Sequence, residues 1–68
     1  MLKITLGAAR KNAGLTQKDV ARELKISNKT VCNWENYTSS PNMAQAERLS
    51  ILYNIPIDNI SFLRNTSL

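Results

Sequence analysis

Apolar positions along the chain recur at the three- and four-residue spacing of helices, and alternation of the strand type is weak. The first predicted helix covers about Thr5 to Asn12, and Gly14 ends it. The second begins after Thr16, an effective N-cap, and Asp19 three residues later resembles a capping box with a shortened acid. Its predicted buried stripe consists of Val20, Ala21 and Leu24.

A third helix follows almost at once, because Lys25-Ile26 is long enough only for a tight turn. Ser27 is the predicted N-cap, and the helix runs to about Glu35 or Asn36. The residues expected to face inward are Val31 and Trp34.

The sequence after the third helix predicts a polar loop and two further helices. The loop spans Tyr37 to Asn42, and a fourth helix covers about Met43 to Tyr53. Asn54 suits the left-handed position that ends a helix, and a last short helix is expected from Ile57 to Leu63. The predicted fold class is therefore all-α, a compact bundle of about five short helices with no sheet. In the fourth helix the inward residues are Ala46, Leu49, Leu52 and Tyr53.

The length of 68 residues predicts a single domain, 1–68, with a thin margin of stability. A chain of this size buries only about 60% of its unfolded surface, which leaves little room for an enclosed catalytic cleft. The apolar fraction of 43% is ordinary for a folded domain.

Several kinds of chemistry are excluded by residue types. Cys32 is the sole cysteine and there is no histidine, so the chain has neither a Cys/His zinc site nor a histidine general base. We expect no enzyme activity, no metal and no cofactor. No apolar run approaches the roughly 20 residues of a membrane span, and no secretory h-region is present, so a cytoplasmic location is expected.

The charge balance favours a polyanionic partner. Nine basic against five acidic residues give a net charge of +4 and a pI near 9.7. In so small a chain this suits nucleic acid, although charge that merely keeps the protein soluble would look the same.

Residues 16–36 form a unit of two helices of about eight residues joined by a three-residue turn. Such a pair crosses at a steep angle, which leaves the outer side of its second helix protruding. A protruding helix fits the DNA major groove, which is about 12 Å wide. Small Ala21 allows close helix approach, and the pair is held together by Ala21, Ile26, Val31 and Trp34.

With these residues the chain resembles the Xre-like family of phage repressors, Cro proteins and related regulators. The similarity extends from about Leu6 to Ile60 and implies a lambda-repressor-like DNA-binding fold. Phage, mobile element and host operon all remain open as the setting. The residues at the family's spacing are Leu15-Thr16-Gln17, Val20-Ala21, Ile26-Ser27, Trp34-Glu35-Asn36, Pro41 and Leu49.

The resemblance implies base contacts from the first two positions of the third helix and from the position one turn further, which are Asn28, Lys29 and Asn33. The chemistry fits, since asparagine can pair with adenine N6/N7 and lysine can donate to guanine O6/N7. Lys29 is also disfavoured by the helix dipole at that end, which argues mildly for a DNA partner. Alternatively, Asn28 and Lys29 are merely polar residues of a first turn.

The resemblance also implies contacts to the DNA backbone. Gln17 begins the second helix, and the N-terminus of a helix attracts phosphate. Arg10 and Glu35 occupy positions that pair in some relatives, and the pair is predicted to be mainly structural. Part of Arg10 is expected to reach phosphate as well. The predicted phosphate-binding residues are Arg10, Gln17, Lys18, Asn36 and Thr38.

The sequence is compatible with two alternative functions. The first is a transcription regulator of the Cro or repressor type, a homodimer on a two-fold operator with its third helices about 34 Å apart. The second is a protein-interaction module, antitoxin-like or an adaptor, that kept the fold and lost DNA binding. Operator sequence and regulated genes stay open. The dimer contact is assigned to part of the apolar tail, which consists of Ile57, Ile60, Phe62, Leu63 and Leu68.

Three positions depart from the family's pattern. Lys25 and Tyr37 stand where many relatives have glycine, and a left-handed lysine would cost about 1 kcal/mol unless the turn adopts another geometry. Pro56 replaces a frequent Ser or Thr cap, which leaves Asp58 as a substitute cap or first-turn acid.

Overall fold

The computed structural model describes residues 3–62, and α-helices dominate that part of the chain. The all-α prediction is confirmed, with the third and fourth helices close to their expected bounds. No helix in the described range is long and apolar enough to cross a membrane. The elements are β1 (Ile4–Thr5), α1 (Leu6–Asn12), α2 (Gln17–Leu24), α3 (Asn28–Glu35), α4 (Met43–Tyr53), a 3-10 helix (Ile57–Asn59) and β2 (Ile60–Ser61).

Each α-helix begins at a side-chain N-cap. Thr5, Thr16, Ser27 and Asn42 accept a hydrogen bond from the backbone N–H three residues later, at 2.8–3.2 Å. In α2 and α4 the third residue also accepts from the cap's own N–H, which completes a capping box. The predicted box of Thr16 and Asp19 is therefore confirmed, and each cap contributes about 1 kcal/mol.

Each α-helix also ends at a residue with positive φ, namely Gly14 (74°), Lys25 (58°), Tyr37 (62°) and Asn54 (57°). The residue after each donates its N–H to the carbonyl five positions earlier, at 3.0–3.2 Å. This closure satisfies carbonyls that a helix end leaves without partners. Gly14 and Asn54 were predicted there. Lys25 and Tyr37 adopt the same backbone although a Cβ disfavours it by roughly 1–2 kcal/mol.

The core is formed by one apolar side of every α-helix together with β2. Val31 and Trp34 attach α3 to it, as the sequence predicts. The inner side of α3 is therefore held by packing, and its other side faces outward. The buried core residues are Leu6, Ala9, Val20, Ala21, Val31, Trp34, Leu49, Tyr53 and Ile60.

The expectation of no sheet is wrong. β1 and β2 pair in parallel, with Ile4 opposite Ile60 and Thr5 opposite Ser61. The predicted last helix is correspondingly reduced to one 3-10 turn, which Pro56 begins without a side-chain cap. The chain leaves that turn in extended conformation because pairing with β1 satisfies its backbone groups.

Ile60 corrects the predicted dimer contact. Its side chain is 1% exposed and packs in the core, because the β1–β2 pairing draws it inside. It therefore offers almost no exposed surface to a second subunit. Ile57 and Phe62 are half-buried, whereas Leu63 and Leu68 lie outside the described residues.

We expect Ile60→Ala to lower the free energy of unfolding by about 2–5 kcal/mol, because it leaves a cavity in the core. Ile51→Ala is the matched control, since Ile51 is 77% exposed and its truncation should change stability by less than about 0.5 kcal/mol. Urea denaturation measures both. Equal effects of the two substitutions would contradict the burial of Ile60.

Candidate nucleic-acid interface

The helices α2 and α3 form the predicted helix-turn-helix. Lys25 adopts the left-handed conformation at the turn between them. The Ile26 N–H donates to the Ala21 carbonyl at 3.0 Å and so caps the end of α2. Ala21 itself is buried, which agrees with the close approach expected of a small residue there. The turn therefore fixes how α3 leaves the body of the molecule.

The three predicted base-contacting residues lie on the side of α3 away from the core. At about 100° per residue, Lys29 and Asn33 occupy neighbouring positions one turn apart, and Asn28 lies at the edge of the same side. Asn28 and Lys29 are exposed. Asn33 is half-buried rather than exposed, so a smaller part of its amide faces outward than the sequence suggested.

The first turn of α3 is fixed by its cap. Ser27 Oγ accepts from the Thr30 N–H at 3.1 Å and lies 2.8 Å from Thr30 Oγ1. These contacts hold the backbone of Asn28 and Lys29 in helical conformation. Their side chains consequently start from a defined position.

Glu35, the last residue of α3, forms the predicted ion pair with Arg10 of α1. Arg10 Nε lies 2.6 Å from Glu35 Oε2, and Arg10 Nη2 donates to Oε1 at 3.2 Å. The two side chains are only 12% and 11% exposed. The hydrogen bond to Glu35 raises the pKa of Arg10. Arg10 Nη1 also donates to the Leu15 carbonyl at 2.9 Å, so all three guanidinium nitrogens have partners and little surface is left for phosphate.

Gln17 joins the same cluster, which the sequence did not reveal. Its Nε2 donates to Glu35 Oε1 at 3.0 Å, so the predicted phosphate-binding side chain is half-buried and tied to α3. Gly7 lies beside them, and a Cβ there would be 3.4 Å from Glu35 Oε1. In the sequence, the only sign of this close approach was Gly7 itself, because a glycine weakens the helix that contains it.

Residues after α3 use part of their hydrogen-bonding capacity within the chain. Asn36 is exposed at the end of the helix, and its Nδ2 donates to Cys32 Sγ at 3.4 Å. Thr38 donates both its N–H, at 3.0 Å, and its hydroxyl, at 3.2 Å, to the Asn33 carbonyl. A phosphate contact from the Thr38 hydroxyl hydrogen would have to replace that bond.

Basic residues near α2 differ in their partners. Lys18 is exposed in the first turn, whereas exposed Arg22 is paired with Asp19 at 2.6 Å. The Thr16 N–H, followed by Arg22, lowers the pKa of Asp19 to about 2. Asp19 is therefore ionised at neutral pH and offsets the charge of Arg22, whereas exposed Lys18, Lys25 and Lys29 form no ion pair within residues 3–62.

Comparison with known proteins agrees with this geometry. A helix-turn-helix family model matches residues 6–60. The chain is 40% identical over 53 residues to the HTH-type transcriptional regulator ImmR of Bacillus subtilis (strain 168), an alignment that covers 78% of this chain and 42% of ImmR. It thus spans less than half the length of that relative. No solved structure matches the chain at a significant level.

The fold and the family match together define a helix-turn-helix protein. The chain belongs to the Xre-like helix-turn-helix family, whose members bind DNA.

We expect Glu35→Ala to lower the free energy of unfolding by about 3–5 kcal/mol, because it leaves Arg10 largely buried without its partner. The double substitution Arg10→Met with Glu35→Leu should recover most of that loss, since apolar residues need no charge compensation. Thermal and urea unfolding measure both. Arg22→Ala, which opens an exposed ion pair, is the control and should have little effect. A loss from Glu35→Ala as small as that control would contradict a structural role for the pair.

Proposed function

We propose that this protein is a transcription regulator that binds specific double-stranded DNA sequences through α3 in the major groove. One observation carries the proposal: α3 keeps Asn28, Lys29 and Asn33 on its outer side while Val31 and Trp34 fix its inner side to the core. The relative ImmR is named as a transcriptional regulator, which supports the same role. The protein acts in the cytoplasm, where its DNA would lie.

Direct base contacts come from the two asparagine amides and the Lys29 amine. Within residues 3–62 the Asn33 side-chain amide has no hydrogen-bond partner, so its donor and acceptor can both serve an adenine. Lys29 is exposed one turn earlier and can donate to guanine. These contacts supply the sequence preference.

Contacts to the DNA backbone fix the register of α3 on the duplex. The first N–H groups of α2, those of Gln17 and Lys18, have no acceptor within the helix and lie at its positive end. The hydrogen bond from Gln17 to Glu35 fixes the N-terminus of α2 relative to α3. Phosphate binding at the N-terminus of α2 therefore helps to orient α3. Lys18 and Asn36 extend the contact on either side.

The alternative of an adaptor or antitoxin-like module has less support. A module that no longer binds DNA has no need for polar donors on the outer side of α3 or for a net charge of +4. Both features are present here.

We expect Asn33→Ala to weaken binding to the selected operator by about 1–3 kcal/mol and to relax specificity at one base pair. Lys18→Ala is the matched control and should weaken all sequences alike, with a salt slope reduced by about one. Selection of bound sites from random DNA, then titration of those sites at several salt concentrations, measures both. Equal losses on specific and random DNA for Asn33→Ala would refute base contact by Asn33.

The proposed regulator acts as a homodimer on a two-fold operator. With Ile60 in the core, the contact rests on a groove of about 450 Å³ between the start of α4, the 3-10 helix and β2. Met43 is 70% exposed at this groove, and Ile57 and Phe62 line it half-buried. Leu63 and Leu68, the remaining residues of the predicted contact, lie outside the described residues.

We expect Met43→Asp to shift the protein toward monomer, because it places a charge in an apolar contact. Ile51→Asp adds the same charge at the exposed residue on another part of α4 and should leave association unchanged. Sedimentation equilibrium across micromolar concentrations, with and without operator DNA, measures both. A wild-type protein that is monomeric even on its operator would exclude the dimer.

A further inference from the structure

Tyr37 occupies the most demanding of the four left-handed helix ends within residues 3–62. Glycine has no Cβ to clash at Gly14, and asparagine tolerates positive φ at Asn54, but a bulky aromatic residue is a clear outlier there. Such a conformation persists only where surrounding structure fixes it. The Tyr37 side chain supplies a fixing contact, since its hydroxyl donates to the Ser61 carbonyl at 3.1 Å.

We propose that Tyr37 is a positioning residue of the DNA interface: its bond to Ser61 holds the chain after α3 in the conformation that presents the end of that helix to the DNA backbone. The inference rests on the proposed DNA-binding function. It concerns a residue that makes no contact with DNA itself in this scheme.

The acceptor of the Tyr37 bond is firmly anchored. Ser61 lies in β2 opposite Thr5 of β1, and its neighbour Ile60 is fully buried in the core. The hydroxyl therefore ties the segment after α3 to a part of the molecule that packing and backbone pairing hold in place. The Tyr37 side chain is half-buried, so its ring also packs against neighbouring residues.

The conformation of Tyr37 controls residues on both sides of it. Its N–H donates to the Trp34 carbonyl at 3.1 Å, and Asn36, a proposed phosphate contact, directly precedes it. Thr38, which follows, gives both of its donors to the Asn33 carbonyl. A change of Tyr37 to negative φ would redirect the chain, break the Thr38 bonds and shift Asn36. The hydroxyl bond thus stabilises the geometry of the proposed contact at the end of α3.

Two variants separate the hydroxyl from the ring, and a third is a control. Tyr37→Phe removes only the bond and leaves a strained aromatic residue. Tyr37→Gly removes the ring as well but adopts positive φ without strain. Ser50→Ala is the matched control, because it deletes another hydroxyl-to-carbonyl bond, from Ser50 Oγ to the Ile55 carbonyl at 2.6 Å, at the end of α4.

The first measurement is fluorescence anisotropy with a random-sequence duplex about two helical turns long, titrated at several salt concentrations. We expect Tyr37→Phe to bind about three- to tenfold more weakly, the range that one net hydrogen bond supports, and to lower the salt slope by up to about one. Tyr37→Gly should bind between Tyr37→Phe and wild type. Ser50→Ala should bind like wild type, even if its melting temperature falls as far as that of Tyr37→Phe.

The order of affinities decides the proposal. Tyr37→Phe equal to wild type, or Tyr37→Gly weaker than Tyr37→Phe, would overturn it, because the ring rather than the hydroxyl would then hold the segment. A loss in Ser50→Ala equal to that in Tyr37→Phe would also overturn it, since binding would then simply follow stability.

A second measurement keeps this inference distinct from the proposed function. Hydrogen exchange of the Thr38 amide, followed by NMR without DNA, should be faster in Tyr37→Phe than in wild type and unchanged in Ser50→Ala. If wild type binds no duplex, the proposed function fails and with it the role of Tyr37 in DNA binding, whichever way the exchange result falls. If wild type binds, unchanged exchange in Tyr37→Phe would overturn the positioning role alone.

Discussion

The Glu35 carboxylate is the interaction on which the placement of α3 depends. It accepts two hydrogen bonds from Arg10 of α1 and one from Gln17 of α2, so three helices meet at one small group. Removing a carboxylate from water is costly, and these donors offset that cost. Apolar packing holds α3 against the core, but the hydrophobic effect is non-directional. The hydrogen bonds of Glu35 to Arg10 and Gln17 are directional, and they set the orientation of α3.

Features set by neighbouring residues could be predicted from the sequence. The caps at Thr16 and Ser27 bond within three residues, and Asn54 tolerates positive φ through its own side chain. The inward sides of α2, α3 and α4 follow from helical spacing alone. The outer position of Asn28 and Lys29 follows from the same spacing. These local rules were sufficient for the helices and for much of the candidate interface.

Apart from the Arg10–Glu35 pair, which the family resemblance implied, features set by distant residues could not be predicted. Strands of two residues show no alternation, so only the meeting of Ile4 with Ile60 reveals the sheet and the burial of Ile60. The bond of Gln17 to Glu35 depends on how α2 and α3 cross. The partial burial of Asn33 has a similar origin, because a position on a helix does not show what lies beside it.

The β1–β2 pairing has a consequence for the order in which the structure forms. Helix ends and the α2–α3 turn close over a few residues, whereas these strands come from opposite ends of the described chain. Loop-closure entropy delays contacts of that kind. We therefore expect the helices to assemble first and the sheet to join them last. A nascent chain would then hold an incomplete core until β2 was synthesised and Ile60 could enter.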